Sequence, residues 1–346
     1  MEFVFNDDQV MMADTARALL AEHCTTKHLR ILSERGESFD PARWAMLVEM
    51  GLLGALVPEE MGGLGLTGPD VIAIATACGE ALLPEPLAEV AMVTLPALAA
   101  LGQGALVGAV LENRATVAVC HPLAPLVHQA DRATHLLMID VEKVVLLERD
   151  AVDLTAQPGI DPLRDLFTVA ATRPGETLST GAEAAAAHAR ATDAGALCSA
   201  AQLLGIAQKS IDISVAFAQQ RSQFGRPIGS YQAIKHHLAS AQVAVEFARP
   251  VLHAAAAMTP GAGAATAARI SHAKLASGEA ADLATRTAVQ VHGAMGYSQE
   301  VDVHFYLKRA LALRQSWGTP NYHRARYAAR LSGHAYGPAT LFAQEN

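Results

Sequence analysis

The stretch Arg221-Ser-Gln-Phe-Gly-Arg-Pro-Ile-Gly-Ser-Tyr-Gln232 lies between two long helical patterns and reads as the turn that joins them. Upstream, Leu204, Ala207, Ile211, Val215 and Ala218 recur at spacings of three and four, which makes one face of a helix. Downstream, Ile234, Leu238, Ala241, Val245 and Ala248 repeat the pattern. Gly225, Pro227 and Gly229 stop the first helix and start the second. A plain helix-helix connector would account for this turn. Its residues also offer more: Arg221 carries paired donors suited to a phosphate, and Phe224 carries a flat apolar face suited to a ring. A second glycine-bearing stretch, Val289-Gln-Val-His-Gly-Ala-Met-Gly-Tyr297, follows another long helical pattern.

Working outward, the 346 residues suffice for two or three structural units and a large core. Half of the chain (51%) is apolar and its second half is rich in alanine, a helix-forming composition. A net charge of −8 without a Lys/Arg cluster argues against nucleic acid or an anionic membrane as partner. Cys24, Cys78, Cys120 and Cys198 lie far apart and read as buried thiols of a cytoplasmic protein. The start lacks a basic-then-apolar signal segment. The apolar window Val90–Val110 contains Pro96 and Gln103, so it reads as a packed helix pair rather than a membrane span.

Asn6 is an N-cap for a first helix with Gln9 three residues on, and Met12, Ala16 and Leu19 are its expected buried stripe. Asp40-Pro41 starts another helix leading into Trp44, Leu47 and Val48. Val57–Gly65, with Gly62, Gly63 and Gly65, must be a loop. Gly102-x-Gly104-x-x-x-Gly108 follows a helix rather than a strand, and its spacing is wrong for a dinucleotide fingerprint. From Arg114 onward the period changes. Thr116–Cys120, His135–Ile139, Lys143–Leu147 and Leu166–Ala170 are short β-rich runs split by Asp, Pro and Gly. Pro174–Ala187 reads as a polar linker, after which helical patterning resumes. The expected architecture is mainly α with a small central β domain: residues 1–112 helical, 113–180 β, and 181–346 a helical bundle. The fourteen histidines form no His-x-x-x-His or mixed Cys/His cluster, so no metal site is expected. A Gly-x-Ser-x-Gly elbow and a P-loop are likewise missing from the sequence.

The spaced elements Arg221-x-x-Phe224-Gly-x-Pro-Ile, Gln232, Gln290-x-x-Gly293 and Gly296-Tyr297 resemble the carboxy-terminal helical domain of the acyl-CoA dehydrogenases. The match runs over Gly195–Gln242 and Ala280–Thr319, and the Pro58-Glu-x-x-Gly-Gly-x-Gly65 loop extends it to the amino-terminal region. The resemblance implies that fold, with a four-helix bundle at the carboxy terminus. It also implies FAD as cofactor and α,β-desaturation of an acyl-CoA thioester, with an electron-transfer flavoprotein-type acceptor. In such enzymes a Glu removes the α-proton. The two positions where the family keeps that Glu are here Trp317, in Ser316-Trp-Gly-Thr319, and Gly195. Indole has no lone pair to accept a proton, and glycine has no side chain. Asp193 and Glu246 are the carboxylates that could substitute, and either could equally be a surface acid.

The β segments that hold the flavin ring in the family have no counterpart here. Cys120-His-Pro-Leu stands where the first belongs, and no tryptophan occurs between Trp44 and Trp317. The family's cross-subunit contacts to the ADP side of FAD do carry over, to Arg221, Phe224, Gln290 and Gly293, with Ala294 in place of a second glycine. Thr319 and Asn321 match a further cofactor-touching pair, Asn321 replacing a Gln. Half a flavin site and no base resemble the shorter, Glu-lacking chain of the α2β2 acyl-CoA dehydrogenases of actinobacterial steroid degradation. On that resemblance the expected partner is a paralogous subunit carrying the catalytic Glu, and the expected substrate is an acyl-CoA with a bulky steroid side chain. Two alternatives stay open: a homo-oligomeric enzyme with an unrecognised base, and a flavin-free scaffold or regulatory subunit.

Overall fold

The computed structural model describes residues 6–333; the outer ends of the first and last expected units fall outside them. Asn6 accepts from the backbone of Gln9 and Gln9 returns the bond, a capping box that opens helix α1 (Asp7–His23). The stripe that α1 buries is Ala13, Ala16 and Leu20, one position round from the expected Met12 and Leu19, which are only partly covered. Helices α2 (Thr26–Arg35) and α3 (Pro41–Glu49) follow, the latter capped by Asp40 with Pro41 in its first turn. The connection after α3 winds two 3-10 turns, Leu52–Gly54 and Glu59–Met61, and Gly63 passes so close to the Val57 carbonyl that no Cβ could fit.

Helix α4 (Gly68–Glu80) leads to α5 (Leu87–Glu89), a π turn at Val90–Thr94, and α6 (Leu95–Ala100). Pro96 has no N–H to give an α-type bond at this junction, and the Leu95 N–H reaches back five residues to the Val90 carbonyl. After a glycine turn, α7 (Gly104–Leu111) completes the expected pair. Among the described residues no helix is long and apolar enough to cross a membrane.

The central segment holds seven strands: β1 (Val117–Cys120), β2 (Val127–His128), β3 (His135–Ile139), β4 (Lys143–Glu148), β5 (Val152–Gln157), β6 (Leu166–Ala171) and β7 (Glu176–Thr180). They form a four-stranded sheet of order β1-β3-β4-β7 and a three-stranded sheet of order β2-β6-β5. β1 and β3 run parallel, and the other pairs are antiparallel. The linker expected over 174–187 is overturned: Glu176–Thr180 pairs with β4, and the next helix starts at Gly181. The strand was hidden because most of its side chains are polar and exposed, so it carries no apolar alternation.

That next helix, α8 (Gly181–Gln220), is forty residues long, about 60 Å at ~1.5 Å per residue. It buries Leu204, Ala207, Ile211 and Ala218, as its spacing predicts, but Val215 faces outward and Ser214 takes the inner position. Ser214 is tolerated there because its hydroxyl donates to the Ser210 carbonyl at 2.7 Å. The turn quoted above is a hairpin of β8 (Ser222–Gln223) and β9 (Arg226–Pro227). Helices α9 (Gln232–Ala256), α10 (Ala264–His292), α11 (Val303–Gln315) and α12 (Pro320–Gly333) complete the bundle around α10. The fold is mainly α with a small central β region. Within the first helical region Arg43 of α3 makes a paired bond to Glu85, between α4 and α5 (2.9 and 2.6 Å), both groups buried. Arg309 on α11 likewise holds Asp161 of the β segment. Of the four thiols, Cys24, Cys78 and Cys198 are buried and Cys120 is partly so.

Candidate functional site

The two positions expected to carry a base lie against each other. Gly195 is buried in the middle of α8, and Trp317 follows the end of α11. A Cβ placed on Gly195 would sit under 3.0 Å from three carbons of the Trp317 indole. The ring therefore needs glycine at 195, and the ring itself is buried (3% exposed). Trp317 adopts φ +58°, a strained region for a bulky residue, and several bonds hold it there. Its carbonyl accepts from His323 Nε2 at 2.9 Å, while His323 Nδ1 lies 3.1 Å from Ser271 Oγ. The neighbouring Gly318 N–H donates to the Leu123 carbonyl at 3.2 Å. The indole and the Glu89 side chain face the same small cavity.

Glu89 was not singled out from the sequence. It sits at the start of the π turn, far in sequence from Trp317, and no spacing signal links the two. Burial raises its pKa, against the pull of Arg164 and the indole N–H. His121 was named only as part of a segment that departs from the family pattern. Its Nδ1 accepts from the Leu123 N–H at 3.1 Å, and its Nε2 lies 3.3 Å from Thr192 Oγ1, which itself donates to the His188 carbonyl. That pattern places the proton on Nε2. Burial, helped by neighbouring His188, pushes the His121 pKa down to about 4, so the ring is neutral at pH 7. It stacks on His188 at 4.3 Å and leans on Trp317 at 5.0 Å between centroids. Three rings thus fill the space between β1 and α8. Two cavities nearby, one of them lined by Trp317, measure about 50 and 30 Å³, room for a few water molecules and none for a flavin ring or an acyl chain.

The two substitute carboxylates are committed elsewhere. Asp193 accepts from Arg326 of α12 at 2.6 Å, and Glu246 is exposed on α9, accepting from Gln242 at 2.7 Å. Neither lines those cavities.

The expected ADP-side residues gather at one end of the bundle. Phe217, one turn before Arg221, stacks on His292 at 4.1 Å, and His292 precedes Gly293. That contact draws the ends of α8 and α10 together. The hairpin has Phe224 and Gly225 as its two loop residues, both at positive φ (+53° and +79°), as a right-twisted hairpin requires. Phe224 is 92% exposed and meets Tyr231 edge-on at 6.5 Å, while Arg226 lies 4.0 Å over the Tyr231 ring. Arg221 is exposed, and its guanidinium has no ion pair or hydrogen bond among the described residues. Gln290, Gly293 and Ala294 are exposed beside it, and Gly293, at φ +60° and ψ −135°, occupies backbone space open only to glycine. An uncommitted guanidinium next to an exposed aromatic fits a diphosphate and its nucleotide. Thr319 and Asn321 stand apart from this group. They open α12, which is tied to Ser271 and Glu279 of α10, roughly 16 Å or more along the axis from Gln290.

Comparison with known proteins gives this geometry a family. Residues 184–332 match the model of the acyl-CoA dehydrogenase C-terminal domain, and residues 6–116 match that of the N-terminal domain. The acyl-CoA dehydrogenase IpdE2 of Mycolicibacterium smegmatis is 32% identical over 335 residues, covering 94% of this chain and 99% of that protein. Among solved structures, the ChsE4-ChsE5 complex of Mycobacterium tuberculosis superposes with a TM-score of 0.84 at 21% identity, over 97% of this chain and all (100%) of that one. PigA, solved with FAD and proline, superposes with a TM-score of 0.84 at 16% identity, over 96% of this chain and 99% of that one. Matched at both ends by the family's domain models and along nearly its whole length by a dehydrogenase, this chain belongs to the acyl-CoA dehydrogenase family.

Proposed function

We propose that this chain is the base-lacking subunit of a heteromeric, FAD-dependent acyl-CoA dehydrogenase, and that it completes the ADP side of a cofactor held by a paralogous partner. The observation that carries the reading is the mutual filling of Gly195 and Trp317. Both positions that could present a base are used to close the chain's own pocket. Bound FAD supplies the acceptor for the substrate's β-hydride. This chain's part is binding: Arg221 offers paired N–H donors to the diphosphate, Phe224 packs beside the nucleotide, and Gln290, Gly293 and Ala294 let the backbone approach closely. Thr319 and Asn321 form a second contact set on another part of the bundle. The proton acceptor comes from the partner.

The reading includes three structural units, 1–112, 113–180 and 181–346, a cytoplasmic location, and an electron-transfer flavoprotein-type acceptor. The substrate class is an acyl-CoA with a bulky steroid side chain. The likeness to the ChsE4-ChsE5 complex supports a two-chain assembly.

The test is to purify the chain alone and co-expressed with its paralogue, and to record the visible spectrum and the native mass. A colourless lone chain that becomes a yellow hetero-oligomer with about one FAD per pair of chains is the expected result. A colourless but assembled complex would make the chain a flavin-free scaffold. A second reading, a homo-oligomeric enzyme, is favoured by one observation: a carboxylate, Glu89, lines the same small cavity as Trp317, the residue at the base position. A yellow homo-oligomer that desaturates an acyl-CoA by itself would establish it.

A further inference from the structure

Two adjoining cavities, the smaller of them lined by Trp317, share Pro86, Glu89 and His128 but differ in their walls. The larger is faced mainly by hydrocarbon, including Trp44, Val90, Val110 and Val119. The smaller is faced by Glu85, Glu89, Arg164, Arg309 and His128. Charge counting decides what kind of occupant suits it. Arg43 pairs with Glu85, Arg309 pairs with Asp161, and Arg164 lies beside Glu89. Burial keeps His128 neutral. With Glu89 ionised, cations and carboxylates balance, and the chamber then has no net charge to recruit a free ion.

Hydrogen bonds do not balance. Arg309 gives Nε to Asp161 and Nη1 to the Leu83 carbonyl at 3.0 Å, but its buried Nη2 has no partner among the described residues. His128 Nε2 is buried and unpartnered in the same way. Buried polar atoms left unpaired are costly, and a guanidinium more so than a neutral group. The chamber's 30 Å³ exceeds the ~10–15 Å³ that one water needs.

We propose that the smaller chamber is a built water site, in which one or two ordered molecules accept from Arg309 Nη2 and join His128 Nε2 to the Glu89 carboxylate. The ligand is water rather than an anion, because the charges cancel. It is water rather than nothing, because polar atoms line the space. These waters tie the start of the π turn, the β segment and α11 together behind Trp317. Hydrocarbon makes up most of the larger cavity's wall, and that cavity stays dry.

Crystals of the chain, alone or in its complex, test this in three portions: untreated, soaked in sodium bromide, and pressurised with xenon. The expected result is water density within hydrogen-bond distance of His128 Nε2 and Arg309 Nη2, with xenon only in the larger cavity. A bromide or xenon peak in the smaller chamber, or a chamber without density at high resolution, would overturn the proposal.

Discussion

Gly195 and Trp317 share one volume: the indole ring lies where the first carbon of any side chain at 195 would have to be. Residue 195 and residue 317 are thus coupled, and mutating them should be non-additive. Gly195→Ala is expected to destabilise the chain by about 1–3 kcal/mol through overpacking. In a Trp317→Ala background the same change should cost markedly less, giving a coupling of at least ~0.5 kcal/mol. Urea unfolding of the four proteins measures it, and additive effects would show that the ring does not fill the glycine's space.

Arg221→Ala in the assembled complex should weaken FAD binding roughly 10- to 100-fold, the scale of hydrogen bonds to a charged group. Fold and assembly should be untouched, because the side chain is exposed and its guanidinium is uncommitted. Absorbance of bound flavin during titration reads the affinity. Full retention would mean that Arg221 does not hold the cofactor.

Glu89→Gln keeps the shape of the side chain but removes the proton acceptor. On the proposed function, in which a partner supplies the base, the desaturation rate of the complex should stay within about twofold of the parent. Loss of general-base action costs ~100-fold or more. A drop of that size with the complex intact would assign the base to Glu89 and favour the homo-oligomeric reading.

Acid should weaken the fold through two buried imidazoles. Burial first, with the like charge of neighbours, pushes His121 and His323 down to about 4. Their folded pKa values lie below the ~6.5 of an unfolded histidine, so the unfolded chain binds more protons between those values. The stability they contribute is present above about 6.5 and is lost as pH falls toward 4. The slope is ~1.4 kcal/mol per pH unit for each residue. His323→Gln should flatten the loss over that window in pH-dependent unfolding, whereas a change only below pH 4 would point to carboxylates instead.

The helices were legible because their apolar spacing and caps act locally: Asn6 with Gln9 and Asp40 with Pro41 do in the fold what they announce in the chain. β5 and β7 were not, because one face of each is bare and the strands are specified by their neighbours rather than by their own pattern. At the site, the sequence named Gly195 and Trp317 but not that they touch. Glu89 and His188 were invisible as partners, since their roles depend on contacts across the fold with Trp317 and His121. Glu89 stood in the sequence only as the residue before an apolar window.

The Phe224–Gly225 hairpin carries a consequence for how quickly such a chain can meet a partner. Its ring is held out in water by a turn that is already formed, propped by Tyr231, so little ordering remains for the moment of contact. On the proposed function, association through this end of the bundle would resemble rigid docking rather than folding on arrival. Encounter rates should fall in the ordinary protein–protein range of ~10⁵–10⁷ M⁻¹s⁻¹, with lifetime rather than speed setting the affinity.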